Sequence, residues 1–327
     1  MQTVIPAIDL QRFTGGDAEQ RQQLAREVDK ACREIGFLVI RNHGVAPGVL
    51  ENARRASRAF YSLPKDRKLI YAPPDKRFRG YYGVGNTALA YSRDEDSPPD
   101  LFERFTIGPF DFGCDDYHQQ FSEDFFPDNI WPDEPEEFRQ ALQSYYRSME
   151  ALAETLMEVF AVALDLPENY FATSIDRHIS AMSVNYYPAQ PNTPATGQLR
   201  AGAHTDYGSL TIVAPTESPG CLQVLRQGEW YDVQPEPGSF VVNIGDLMAQ
   251  WTNDQWVSTM HPVANPPRES AHTDRMALIF FHQPNADARV ECLPSCRAPD
   301  NPARYEPTTS GEHLMMKKSK TVRPSTD

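Results

Sequence analysis

The sequence predicts an α+β fold that is mainly β, with helices in the first half of the chain and short strands in the second. Two observations support this prediction. Apolar residues recur at helical spacing up to about residue 164, and short β-rich runs separated by turns follow. The 28 prolines and 18 glycines indicate many loops. With 327 residues, the chain is long enough to bury a substantial core.

Three segments of the first half have the periodicity of amphipathic helices: residues 17–35, 47–63 and 134–164. Between the first two, the apolar run 36–40 ends in a turn-prone segment and predicts a buried strand. Residues 71–135 are irregular but rich in aromatic residues. They fit either surface loops with a few anchors or the wall of a substrate pocket.

The second half reads as an antiparallel sandwich or barrel. Its strand candidates are short runs rich in β-branched and aromatic residues: 181–187, 209–214, 222–225, 239–244, 256–260 and 276–281. The last residues, 317–327, are basic and then polar, and we expect them to fray.

Charge and hydropathy exclude some classes of partner. The formal net charge of −14 repels phosphate backbones and anionic lipid surfaces. It weakly favours a neutral or cationic small molecule by steering. The chain has no apolar run of about 18 residues and no secretion signal that can be recognised, so we expect a cytoplasmic protein without a membrane span.

One short motif points to a metal. His204 and Asp206 are two residues apart, just before the strand-like run 209–214. In extended backbone they would present a nitrogen and an oxygen on the same face. His261, at the end of another strand-like run, could complete two histidines and one carboxylate, the ligand set of non-haem Fe(II). The alternative is that the tripeptide is incidental and His261 is only a packed residue.

The same His-Thr-Asp tripeptide occurs again at residues 272–274, where it could pair with His313. That copy lies in a polar, proline-marked stretch that predicts an exposed loop. We therefore favour the first copy, because a buried-looking strand follows it directly.

Several segments, taken together, carry a family resemblance. Their order and spacing resemble the isopenicillin N synthase-like branch of the Fe(II)/2-oxoglutarate-dependent dioxygenases. The matching segments are Ile5-Pro6-Ala7-Ile8-Asp9-Leu10, Gly36-Phe37-Leu38-Val39-Ile40-Arg41-Asn42-His43-Gly44-Val45, Asn185-Tyr186-Tyr187-Pro188, Ala203-His204-Thr205-Asp206, Pro237-Gly238-Ser239-Phe240-Val241-Val242-Asn243-Ile244-Gly245-Asp246 and Ser258-Thr259-Met260-His261.

The resemblance implies a double-stranded β-helix, or jelly roll, core with flanking helices. It implies a single catalytic unit over residues 1–327. Within it we expect an N-terminal helical and strand region at 1–120, a jelly-roll core at 178–290 and a C-terminal tail at 291–327. The implied Fe(II) ligands are His204, Asp206 and His261.

The resemblance also implies 2-oxoglutarate as cosubstrate and O₂ as oxidant. Arg275 matches the family's anchoring arginine, whose fork suits a carboxylate, and Tyr187 and Asn185 match its polar partners. Arg268 is a rival, but it lies among prolines in a predicted loop. Ala277 stands where the family commonly has a serine that bonds the same carboxylate.

The implied reaction is oxidation of an unactivated C–H bond of a small molecule, by hydroxylation, desaturation or oxidative cyclisation. Family habit suggests that it tailors a specialised metabolite such as an antibiotic. Beyond the metal ligands, no catalytic side chain is expected. Two alternatives are a cosubstrate-free oxidase and a non-catalytic jelly-roll sensor. Residues expected to border the substrate are Tyr207, Tyr82, Asn86, Tyr91, Arg104 and Phe105.

Overall fold

Short strands and a few longer helices make up the computed structural model, which describes residues 5–74, 78–85, 89, 98–214 and 221–321. The strands are β1 (Ala7–Asp9), β2 (Phe37–Arg41), β3 (Gly80–Tyr82), β4 (Glu103–Ile107), β5 (Ala181–Tyr187), β6 (Ala201–His204), β7 (Leu210–Ala214), β8 (Gln223–Arg226), β9 (Glu229–Asp232), β10 (Phe240–Ile244), β11 (His261–Val263), β12 (Arg275–His282), β13 (Arg289–Val290) and β14 (Thr308–Thr309). The helices are α1 (Gln11–Thr14), α2 (Ala18–Glu34), α3 (Pro47–Tyr61), α4 (Lys65–Leu69), α5 (Asp116–Gln120), α6 (Phe138–Ala163), α7 (Ala172–Ile175), α8 (Asp246–Trp251) and α9 (Ser310–Thr321).

Eight strands form the main sheet, in the order β1-β2-β10-β7-β12-β5-β4-β3. Only the β1–β2 pair in this order is parallel. A smaller layer is built from the β6–β11 pair, which is linked to the β8–β9 hairpin by a bridge between Leu222 and Val263. This arrangement confirms the predicted jelly-roll core with flanking helices.

Both faces of the main sheet are buried, and alternate residues serve the two faces. On β2, Leu38 and Ile40 pack in the cluster that contains the helices, whereas Phe37 and Val39 belong to a second cluster with Val263 of the smaller layer. Strands β2, β7 and β10 therefore appear in the sequence as nearly continuous apolar runs.

The helical layer packs around aromatic rings. Phe60 of α3 has its ring centroid 5.0 Å from that of Phe138 of α6 and 5.1 Å from that of Phe105 of β4. The predicted helices at 17–35, 47–63 and 134–164 correspond to α2, α3 and α6. Within the described chain, none of the helices combines the length and apolarity needed to cross a membrane.

The strand predicted at 256–260 is wrong: this segment is irregular, and β11 begins only at His261. Trp256 is buried because its ring packs edge-on to Phe160 and its indole N–H donates to Asp29 (2.8 Å). Val257 N donates to the carbonyl of Cys32. The apolar pattern reflects burial against α2 and α6 and not strand pairing.

The C-terminal tail also differs from the prediction. Residues 310–321 form α9, although fraying was expected from 317; residues 322–327 lie outside the described part. A capping box begins α9, since Thr309 Oγ1 accepts from Glu312 N (3.2 Å) and Glu312 Oε2 accepts from Thr309 N (3.0 Å). Thr309 and Glu312 are the sequence signal that predicts this helix.

Two glycines flank β2 and provide a matched test of the packing. Gly36 (φ 65°) and Gly44 (φ 78°) both adopt left-handed backbone. A Cβ at Gly36 would lie 2.0 Å from the carbonyl oxygen of Val257, whereas no described atom lies within 4 Å of one at Gly44. We expect Gly36→Ala to lower the free energy of unfolding by about 2 to 4 kcal/mol and Gly44→Ala by about 1 kcal/mol. Urea denaturation of both variants measures the difference; equal losses would contradict the close approach.

Candidate active site

Two histidines and an aspartate meet where β6 ends and β11 begins. His204 and His261 are paired in the β6–β11 ladder, and their ring centroids lie 4.5 Å apart. Asp206 follows two residues after His204, with its two carboxylate oxygens each 3.8 Å from the Nε2 of one of the histidines. The three candidate ligand atoms lie within 4.8 Å of one another. Among the described residues, no other group of histidine, cysteine and acidic side chains has this geometry.

Backbone carbonyls orient both imidazoles. His204 Nδ1 lies 2.8 Å from the carbonyl oxygen of Gly202, and His261 Nδ1 lies 2.9 Å from that of Thr259. A carbonyl can only accept, so each Nδ1 carries the hydrogen, and in a neutral ring the lone pair is then on Nε2. Both lone pairs face the cluster, as metal-binding histidines require.

The electrostatics favour a neutral imidazole at His204 and an ionised carboxylate at Asp206. Burial lowers the pKa of His204, and the neighbouring His261 lowers it further. Burial works to raise the pKa of Asp206, but His261, His204 and a hydrogen bond from Asn243 Nδ2 (2.7 Å) hold it below its ordinary value. This nitrogen and oxygen donor set fits Fe(II).

The start of α8 fixes the loop that carries Asp206. Asp246 N donates to the carbonyl of Asp206 (2.7 Å), and Leu247 N donates to that of Tyr207 (3.3 Å). Asp246 Oδ2 accepts from Thr205 Oγ1 (3.2 Å) and from Lys317 Nζ of α9 (2.6 Å). The C-terminal helix α9 is thus tied to the loop that carries Asp206.

A cavity of about 550 Å³ opens beside this cluster, lined largely by apolar side chains. Arg275, the first residue of β12, lines it and is paired with Tyr187 of β5. Its guanidinium carbon lies 4.9 Å from the centroid of the Tyr187 ring. The residue is 3 % exposed, yet its Nε and Nη1 have no hydrogen-bond partner within the described part of the chain.

Buried guanidinium N–H groups without partners are costly unless an anion binds them. Arg200 adds a second positive charge nearby: burial and then the charge of Arg275 lower its pKa to about 10. Asn185 and Ala277, which are paired across β5 and β12, line the same cavity. This end of the cavity therefore fits the far carboxylate of a keto acid.

The rival candidates lie elsewhere. Arg268 is exposed and donates to the carbonyls of Gln190, Pro191 and Asn192, so it braces a loop. In the second His-Thr-Asp copy, His272 is exposed and Asp274 accepts from Arg58 (3.0 Å).

Of the predicted substrate contacts, Tyr207, Tyr82 and Arg104 line the cavity. Phe105 does not: it packs against Phe60 and Phe138 on the helical side of the sheet. Successive residues of a strand point to opposite faces, so Arg104 and Phe105 cannot both reach the cavity. Asn86 and Tyr91 lie outside the described residues.

The sequence analysis missed a second set of cavity residues: Arg79, Leu314 and Lys318. Leu314 and Lys318 are four apart on α9, so they share a face of the helix. The capping box at Thr309 would have predicted the start of this helix.

Comparisons with known proteins agree with this geometry. Residues 5–134 match a family described as non-haem dioxygenase in morphine synthesis N-terminal, and residues 178–284 match the 2OG-Fe(II) oxygenase superfamily. The chain is 30% identical to the validamycin A dioxygenase of Streptomyces hygroscopicus subsp. limoneus, covering 96% of this chain and 86% of that one. It is 32% identical to a homoarginine-6-hydroxylase of Oryza sativa subsp. japonica, covering 96% of both.

A solved structure supports the same assignment. A full-length protein of Neurospora crassa, in complex with alpha-KG and thymine, has a TM-score of 0.84 and 28% identity and covers 97% of both chains. The resemblance found in the sequence is confirmed, together with the iron and 2-oxoglutarate that it implied. The chain therefore belongs to the 2OG-Fe(II) oxygenase superfamily, and it is a 2-oxoglutarate-dependent dioxygenase.

Proposed function

We propose that His204, Asp206 and His261 bind Fe(II), and that Arg275 binds the far carboxylate of 2-oxoglutarate with Tyr187 and Asn185 beside it. The observation that carries this proposal is the buried guanidinium of Arg275, whose Nε and Nη1 lack partners among the described residues, in the same cavity as the three candidate ligands. The match to the 2OG-Fe(II) oxygenase superfamily favours this cosubstrate over a cosubstrate-free oxidase or a non-catalytic sensor.

The bound iron would use O₂ and 2-oxoglutarate to supply an oxidant for a C–H bond, with release of succinate and CO₂. The protein contributes position and exclusion of water. The carbonyls of Gly202 and Thr259 and the amide of Asn243 hold the three ligands in place. Apolar side chains, including Phe102, line the cavity and would exclude water from the reaction.

The proposed substrate is a small molecule with an unactivated C–H bond, which would be hydroxylated, desaturated or cyclised. Thymine in the Neurospora crassa complex supports a small-molecule substrate, as do validamycin A and homoarginine, after which the two relatives are named. The validamycin A dioxygenase also supports a role in tailoring a specialised metabolite such as an antibiotic.

The first test concerns the metal. His204→Ala removes one of the three candidate ligands, so we expect Fe(II) affinity to fall by more than about 100-fold. Mutating a residue that only hydrogen-bonds to a metal ligand already lowers metal affinity about 10- to 100-fold. His272→Ala, in the exposed second copy of the tripeptide, should leave affinity unchanged. Anaerobic Fe(II) titration of the two variants measures both. Iron binding that survives His204→Ala but not His272→Ala would refute the assignment.

The second test concerns the cosubstrate. Arg275→Gln removes a charged, forked donor, so the Kd of 2-oxoglutarate should rise about 100-fold, with Fe(II) binding retained. Arg268→Gln is the matched control and should leave the Kd as in the wild type. Anaerobic titration of the iron-loaded protein with 2-oxoglutarate gives both values. A larger rise in Kd for Arg268→Gln than for Arg275→Gln would show that Arg268, in the loop, binds the far carboxylate of 2-oxoglutarate.

The third test uses the departure at Ala277. Ala277 lies two residues after Arg275 and lines the same cavity, so a serine hydroxyl there could donate to the same carboxylate. We expect Ala277→Ser to lower the Kd of 2-oxoglutarate by about 2- to 10-fold, the effect of one hydrogen bond. Ala181→Ser, at the far end of β5, should not change it. A Kd that rises in Ala277→Ser would show that the wall is too tight there for the hydroxyl.

A further inference from the structure

Three cationic side chains lie in the cavity in addition to Arg275: Arg79, Arg104 and Lys318. Asp124 is the one acidic side chain among the described lining residues apart from Asp206, and it is exposed. The cavity wall thus has an excess of positive charge, although the whole chain carries −14.

Arg104 is the central member of this group. It lies on β4 between Tyr82 of β3 and Asn185 of β5. Its guanidinium carbon is 4.5 Å from the centroid of the Tyr82 ring and 5.8 Å from that of Phe78. Its Nε is buried and has no hydrogen-bond partner among the described residues. A guanidinium stacked on rings keeps its N–H donors in its own plane, where they can bind a carboxylate.

Two described carboxylates close to Arg104 along the chain are engaged elsewhere. Glu103 accepts from Lys68 Nζ (2.6 Å) and from Tyr81 Oη (2.6 Å), away from the cavity. Asp100 accepts from the backbone N–H groups of Leu89 (2.8 Å) and Gly202 (2.7 Å). Both carboxylates thus accept hydrogen bonds from donors other than Arg104, although the charges of Asp100 and Arg104 attract each other. Arg104 itself lines the cavity.

Lys318 and Arg79 place further charge beside Arg104. Lys318 Nζ lies 4.6 Å from the centroid of the Phe78 ring. Burial, then repulsion by Arg79 and Arg104 partly offset by Asp124, lowers the pKa of Lys318 to about 8. Burial lowers the pKa of Arg79 to about 10, and its two terminal nitrogens donate to the carbonyls of Phe78 and Phe125 (2.9 Å each). An anion bound among these cations would relieve their repulsion.

We propose that the substrate is an organic acid whose carboxylate binds Arg104, with Arg79 and Lys318 adding positive potential. Its apolar skeleton would lie along Ile179, Phe281 and Leu314. This inference rests on the proposed function, since it assigns the remaining part of the same cavity. It replaces the weak preference for a neutral or cationic substrate that net charge suggested, because contact charges in a buried site outweigh screened long-range steering.

The test is a panel of monocarboxylic acids of increasing size, from propanoate to 4-phenylbutanoate, each paired with its primary amide. Binding is measured by ligand-observed NMR, anaerobically, on protein with Fe(II) and saturating 2-oxoglutarate, so that the Arg275 end is filled. We expect at least one acid to bind about 10- to 100-fold more tightly than its amide. That preference should vanish in Arg104→Gln and largely return in Arg104→Lys.

Arg139→Gln is the matched control, because Arg139 also stacks on a ring, 5.5 Å from Trp131, but lies outside the cavity. It should keep the preference for acids. Equal binding of acids and amides by the wild type, or no acid-selective binding across the panel, overturns the inference, whether or not a variant folds. Loss of 2-oxoglutarate binding in Arg104→Gln would also overturn it, by assigning Arg104 to the cosubstrate. Failure of the wild type to bind 2-oxoglutarate would instead contradict the proposed function.

Discussion

The site depends on one constraint. Two imidazoles and a carboxylate are buried together, and their metal-facing atoms must not be taken up by hydrogen bonds within the protein. The β6–β11 pairing brings His204 and His261 face to face, and each Nδ1 is committed to a backbone carbonyl two residues earlier. Asn243 takes up one oxygen of Asp206. The backbone therefore fixes which ligand atoms remain open, and the proposed Fe(II) would compensate their burial.

Two groups of cationic side chains lie in or beside the cavity that adjoins this cluster. Arg275 and Arg200 make one end positive, and Arg104, Arg79 and Lys318 make another region positive. Strand β5 lies between Arg104 and Arg275, and its Asn185 and Tyr187 also line the cavity. Burial of these charges strengthens their effect on a bound anion. The chain thus combines an acidic surface with a basic cavity. We therefore infer the charge of the substrate from the cavity lining and not from the net charge of the chain.

Local patterns predicted the parts of the fold that depend on local periodicity. The helices α2, α3 and α6 and the strand β12 follow from the spacing of apolar residues, and His204 and Asp206 from the two-residue repeat of extended backbone. Trp256 was misassigned because burial against helices gives the same apolar run as a strand. Lys318 was missed because its position depends on how α9 folds back onto the sheet. The expectation for Phe105 was wrong because successive residues of a strand point to opposite faces, and Arg104 takes the face that lines the cavity.

We propose that Fe(II) and 2-oxoglutarate bind in one cavity, with Fe(II) at the His-Asp-His cluster and the far carboxylate of 2-oxoglutarate at Arg275. Anaerobic crystals grown with Fe(II) and 2-oxoglutarate, with diffraction data collected at the iron edge, test it most directly. We expect one anomalous peak between His204 Nε2, Asp206 and His261 Nε2, with the far carboxylate of 2-oxoglutarate bound to Arg275. Iron at His272, or 2-oxoglutarate held by Arg104 or Arg268 instead of Arg275, would contradict it.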